Sequence, residues 1–227
     1  MFFDPLYMAV IGLGMLLSMA AQFWVKSATK KWSKVPIGRG MTGADVAQAI
    51  LQSRGVHDVR IEEVGGVLTD HYDPSNKVLR LSPANFHGTS VTAAGIAAHE
   101  VGHALQHADG YAPMKLRQKM VPVANIGTNL GVWIVIAGMV LGMTGLAKIG
   151  VVVFAGFVAF TIVTLPVEFD ASVRARKVLL STGIVNQAEA QGVSKVLTAA
   201  AATYLAAAVS AIAQLFYWAM RAGIGDD

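Results

Sequence analysis

His99, Glu100 and His103 lie in the stretch GIAAHEVGHALQHADGY, residues 95–111, among small apolar neighbours. On a helix, positions i and i+4 share a face, so both imidazoles can reach one ion. Neutral imidazole suits Zn2+ at about 2.0–2.1 Å. Glu100 is one residue on from His99, turned by about 100°, and so faces water beside the ion instead of the ion itself. Zinc lowers the pKa of such water to about 7, and the carboxylate takes its proton as the water attacks a peptide carbonyl. The approach to the motif, AAGIAA, is small and apolar. Three ionisable groups on a buried helix are costly without a partner ion or strong hydrogen bonds. The pattern therefore points to a metal ion, against the plainer reading of two surface histidines.

A catalytic zinc needs a third protein ligand and an open position. The chain has no cysteine, which leaves His, Asp or Glu and excludes disulfides and thiolate sites. His107 lies on nearly the same helical face as His103, and one straight helix does not easily wrap three ligands around a tetrahedral ion. His71 and His87 read as loop residues. Glu168 is the better candidate because it sits at the exit of a long apolar run that returns the chain towards the histidine helix.

These residues need elements to position them, and composition says which kind. Of 227 residues, 54% are hydrophobic and 14% charged, against roughly 25% charged in ordinary soluble domains. The mean hydropathy is +0.52, a membrane-protein balance. The net charge is +4, but the basic residues cluster beside apolar runs, where topology explains them better than a nucleic-acid partner. Residues 5–25 are uncharged and about long enough to cross a bilayer. Only Asp4 precedes them, and Lys26, Lys30, Lys31, Lys34 and Arg39 follow. That order fits an uncleaved anchor with its N-terminus outside and the following chain in the cytoplasm.

Residues 121–167 carry Lys148 as their one formal charge and suit two spans joined by a turn at GMTGLAK. Residues 196–220 are uncharged and alanine-rich; whether that helix spans fully is open. Between the spans, Thr42 with Asp45 resembles a capping box, and Val59–Leu81 reads as short strands broken at Gly65-Gly66 and Asp73–Asn76. A helix is expected from about Thr89 to His107. A further helix is expected to start at Pro166 and end at Gly183, and Asn186 with Glu189 would cap the last one. The expected layout is an anchor helix (1–25), a cytoplasmic domain (26–120), a transmembrane hairpin (121–167), a cytoplasmic helical segment bearing the third ligand (168–195), and a C-terminal transmembrane helix with its tail (196–227).

LTDHYDPSNKVLRLSP, AAHEVGHALQ and LPVEFDAS, in this order, resemble the YugP-type family of membrane zinc metallopeptidases, also called neutral zinc metallopeptidases. The family is distantly similar to the HtpX and CAAX prenyl membrane proteases. The resemblance implies a predominantly α integral membrane protein, with about four transmembrane helices and a small cytoplasmic α+β, zincin-like catalytic domain. It implies one Zn2+ per chain on His99, His103 and Glu168, with Glu100 as general base. The substrate would be a peptide or a membrane protein under quality control or processing, cleaved at the cytoplasmic side of the bilayer. One position departs from the pattern. In the HtpX-like order an aspartate four residues after the glutamate supports a zinc-bound histidine; here that position is Ser172. Asp170 lies about 200° around the helix from Glu168. Ser172, Asp73 and Asn76 remain as supports, and His71, Tyr72, His87 and Arg174 as oxyanion donors. The rival reading is a non-catalytic membrane scaffold with a structural zinc, which four protein ligands would mark. A homo-oligomer is left open.

Overall fold

The computed structural model describes residues 4–224, the side chain of Asn129 excepted. The described chain is mostly helical with one small sheet. Helix α1 spans Pro5–Trp32, and Asp4 caps it by accepting the Leu6 N–H at 3.0 Å. Then come α2 (Gly43–Ser53), β1 (Arg60–Glu63), β2 (His71–Asp73), β3 (Val78–Leu81), α3 (Pro83–Phe86) and α4 (Val91–Ala108). Beyond these lie α5 (Ala112–Ile126), a π-turn (Gly127–Gly131), α6 (Val132–Val140), α7 (Thr144–Ser181) and α8 (Gln187–Arg221). Three of these, α1, α7 and α8, are long and apolar enough to cross a membrane.

The chain divides into two compact units. One unit comprises the described residues up to Ala21, Lys115–Pro166, and Ala202 onwards. Within it α6 and the π-turn pack on the first half of α7. A methyl group added at Gly131 would lie 2.8 Å from the Phe154 nitrogen, and one at Gly138 would lie 2.3 Å from the Ala147 nitrogen. Small residues here let two apolar helices meet backbone to backbone, where water cannot drive association. The reversal between α6 and α7 uses Gly142 at φ +67°. Lys148 was expected in this turn and lies instead inside α7, because the glycine completes the reversal before Thr144 starts the helix.

The other unit, Gln22–Met114 with Val167–Ala201, carries the histidine helix. The capping box at Thr42 and Asp45 forms as the sequence reads. Val46, Ile50 and Leu51 of α2 are buried with Val101 of α4 in one core. The sheet runs β1–β3–β2, with β1 parallel and β2 antiparallel to β3. It adds Leu79 and Leu81 to the same core. Asn186 and Glu189 exchange hydrogen bonds of 2.8 and 3.0 Å at the start of α8.

The helix expected to begin at Pro166 does not begin there. Helix α7 runs through Pro166 for 38 residues. A proline leaves one carbonyl a turn earlier without its donor, a loss that neighbouring helices and local adjustment make tolerable in apolar helices. From Val167 on, α7 buries Val167, Ala171, Ala175, Val178 and Leu179, a stripe at three- and four-residue spacing. Ala171 meets α4 at Gly102, where an added methyl group would lie 2.6 Å from the Ala171 carbonyl oxygen. Gly102→Ala is therefore expected to destabilise the full chain by about 1–3 kcal/mol, the range for overpacking. Gly12→Ala, whose methyl meets nothing within 4 Å, is expected to be neutral or stabilising. Thermal unfolding of both variants in detergent checks the contrast, and equal midpoints would mean α4 and α7 can separate at no cost.

Candidate metal centre

The site is built from two matching helical stripes. Helix α4 is started by the Ser90 hydroxyl, which accepts the Ala93 N–H at 3.2 Å. It presents His99, Gly102, His103 and Gln106 at i, i+3, i+4 and i+7, one face of a helix. Helix α7 presents Glu168, Ala171, Ser172 and Ala175 at the same spacing. The small residues Gly102 and Ala171 touch, and the functional side chains on either side of them meet.

Three donor groups converge. His99 Nε2 lies 3.3 Å and His103 Nε2 3.6 Å from Glu168 Oε2. The two rings are edge to face with centroids 4.8 Å apart. One ligand atom from each of the three residues can be chosen so that all lie within 4.8 Å of one another. Two ligands about 2.1 Å from a tetrahedral ion sit about 3.4 Å apart, so the spacing fits one zinc. Glu168 is only 2% exposed and His103 6%. Burial pushes the His103 pKa down, but the Glu168 and Glu100 carboxylates outweigh it and hold the pKa above the ordinary histidine value. The pocket thus favours a positive charge at His103.

The far side of each imidazole is also held. Ser172 Oγ lies 3.2 Å from His99 Nδ1, and Gln106 Oε1 lies 3.0 Å from His103 Nδ1. A hydroxyl and an amide oxygen there accept from Nδ1–H, which leaves both Nε2 lone pairs facing Glu168. Gln106 is completely buried. Its Nε2 donates to the Val167 carbonyl at 2.8 Å and to Asp170 Oδ2 at 2.8 Å. Those two acceptors force the amide oxygen towards His103. Asp170 Oδ2 also accepts from Arg174 Nε at 2.6 Å, and Arg174 continues to Asp109. The sequence reading missed Gln106. The signal was present, since a glutamine three residues after His103 shares its face within an otherwise apolar run.

Glu100 stands beside this arrangement. It is 8% exposed, and its charge acts on the His103 ring. The remaining candidates lie elsewhere. His71 donates from Nδ1 to the Thr69 carbonyl at 2.7 Å and is exposed. His87 pairs with Glu63 at 2.9 Å on the surface. Tyr72 places its hydroxyl 2.9 Å from His107 Nδ1, and burial with the nearby Asp58 and Asp73 charges pushes its pKa up to about 12. Asp73 and Asn76 bond to each other within their turn, and the Asn76 side chain is the first cause of an Asp73 pKa held near about 2. Arg174 is held by two carboxylates and lies 5.7 Å from the Tyr111 ring. Of the supports and donors read from the sequence, Ser172 contacts a site histidine directly, and Arg174 connects to one through Asp170 and Gln106.

Residues 7–223 match the model of a family described as "Putative neutral zinc metallopeptidase". The chain is 44% identical over 215 residues to the "Putative membrane protease YugP" of Bacillus subtilis (strain 168), covering 95% of each protein. No solved structure matches. The donor set accords with that family description: two imidazoles, one carboxylate and no thiol. Removing Gln106 would free the His103 ring to turn and leave the Val167 carbonyl and Asp170 without this donor. Gln106→Ala is expected to weaken zinc binding about 10- to 100-fold, as loss of a partner behind a ligand histidine does. Competition with a chromophoric chelator on the full chain measures it, and unchanged affinity would mean that another group orients His103.

Proposed function

Because the chain belongs to the neutral zinc metallopeptidase family, we propose that it is a membrane-embedded endopeptidase holding one Zn2+ on His99, His103 and Glu168, with Glu100 as general base. One observation carries the reading. Two imidazoles from α4 and a buried carboxylate from α7 aim at a common point, and a fourth group, Glu100, lies close enough for its charge to act on His103. When bound, zinc supplies a Lewis acid that acidifies water and polarises a carbonyl. The chain's residues do the rest. Ser172 and Gln106 hold the two rings in one tautomer and one orientation. Glu100 takes a proton from the attacking water as the water oxygen bonds to the peptide carbonyl carbon. It then delivers that proton to the amide nitrogen as the C–N bond breaks, so the amine leaves neutral.

Three donors favour catalysis over a structural staple, which takes four protein ligands. A scaffold also has no use for a carboxylate placed next to His99. The substrate is a peptide segment, of a membrane protein in the quality-control or processing role that the family likeness suggests. Helices α1, α7 and α8 cross the bilayer. The uninterrupted helical run from Val121 through the π-turn to Val140 makes a fourth crossing. The lysines after α1 support a zincin-like site on the cytoplasmic side.

Glu100→Gln keeps the shape and removes the base. It is expected to retain one zinc per chain while cleavage of a fluorogenic peptide falls about 10²- to 10⁴-fold. Metal content and turnover measured on the same full-length preparation separate the two effects, and wild-type turnover would sink the assignment. Glu168→Gln is expected to lower zinc content itself, which Glu100→Gln is not.

A further inference from the structure

Away from the zinc site, the same unit holds a cavity of about 340 Å³ between α1 and α8. Trp24, Ser27 and Lys31 of α1 and Ser194, Lys195 and Thr198 of α8 line it, with Trp32 at its base. No carboxylate is among its lining residues. Lys31 Nζ lies 5.5 Å and Lys195 Nζ 5.7 Å from the centre of the Trp32 ring. Neither lysine has an acidic partner within ion-pair distance among the described residues. The ring is a fixed platform. It packs on the buried core, and an added methyl at Gly192 would lie 2.6 Å from it. A third cation stands at the rim, where Arg176 Nη1 donates to Ser194 Oγ at 3.5 Å.

Two ammonium groups gathered on one aromatic ring repel each other, and among the described residues no carboxylate pairs with either. Their position says what does. The uncharged run of α1 ends at Val25 and the cavity begins at Trp24, so the lysines sit about 10 Å further along the helix, at headgroup depth. Trp24 is half exposed and Phe23 beside it three-quarters exposed, a surface suited to acyl chains. Serine and threonine hydroxyls supply donors for phosphate oxygens.

We propose that this cavity is a binding site for the phosphate headgroup of an anionic phospholipid. Lys31 and Lys195 neutralise the phosphate, the three hydroxyls bond it, and Trp24 lies against the glycerol and the upper chains. The site is separate from the zinc centre and stands whether or not the peptidase assignment does.

The test is lipid retention by the full-length protein in detergent, read by native mass spectrometry with phosphatidylglycerol or phosphatidylcholine added at equal concentration. Phosphatidylglycerol is expected to be retained preferentially. Each of Lys31→Gln and Lys195→Gln is expected to lower that retention about fivefold, the usual effect of one lysine at an anionic surface. The Lys31→Arg, Lys195→Arg pair is expected to keep it, and Lys30→Gln with Lys34→Gln, which lie outside the cavity, to change it less than twofold. Equal retention of the two lipids would overturn the proposal. So would loss as large in the Lys30, Lys34 pair as in the cavity pair, which would make the attraction a general surface effect. Displacement of phosphatidylglycerol by millimolar inorganic phosphate would show that free phosphate, and not lipid, is the ligand.

Discussion

Glu168 sits almost entirely out of water, and a carboxylate in that position is tolerated only against positive charge or strong donors. Its partners include two imidazoles on another helix, so α7 has to come close enough to α4 for one carboxylate oxygen to reach both rings. Gly102 permits the approach, because any larger residue there would strike the Ala171 backbone. The two alanines of the α7 stripe, Ala171 and Ala175, are fully buried and act as spacers for Glu168 and Ser172. Backbone contact and chemical contact are thus the same event, since the stripe that packs the helices is the stripe that carries the candidate donors.

Helix continuity fixes the register of that stripe. Helix α7 runs unbroken through Pro166, two residues before Glu168. Had the helix started at the proline, the first turn would have carried Glu168, and first turns fray because their backbone donors lack partners. Glu168 is instead mid-helix, and Gln106 secures the neighbouring turn through the Val167 carbonyl. The proline's missing donor is accommodated one turn earlier, in the apolar part of the helix.

Much of this was legible in the residues. His99, Glu100 and His103 are adjacent in sequence, so helical spacing alone puts them together. The capping pairs Thr42–Asp45 and Asn186–Glu189 are local signals that formed as read. Glu168 was legible as the carboxylate that a returning apolar run would deliver. What was illegible was non-local or depended on context. Pro166 normally marks a boundary, and nothing in the surrounding residues says that apolar packing will carry a helix past it. The π-turn at Gly127–Gly131 cannot be told from an ordinary helical run by hydropathy. The sheet order, with β3 between β1 and β2, pairs strands out of chain order. The helix face that Gln106 shares with His103 was legible, but its partners were not. Its meaning comes from Val167 and Asp170, whose positions follow from the helix packing.

The departure at Ser172 now has a physical reading. A carboxylate placed directly on a ligand imidazole makes that ring more basic. Here both rings have neutral partners, a hydroxyl at His99 and an amide at His103. The nearby carboxylate, Asp170, is set back by one side chain, with Gln106 between it and His103 and with Arg174 bound to the same oxygen. Its charge is therefore balanced before it reaches the rings. Glu168 is then the one acid among the three donors. The neutral partners behind the histidines thus keep the Asp170 charge off the rings, and the negative charge that acts on His103 comes from Glu168 and Glu100.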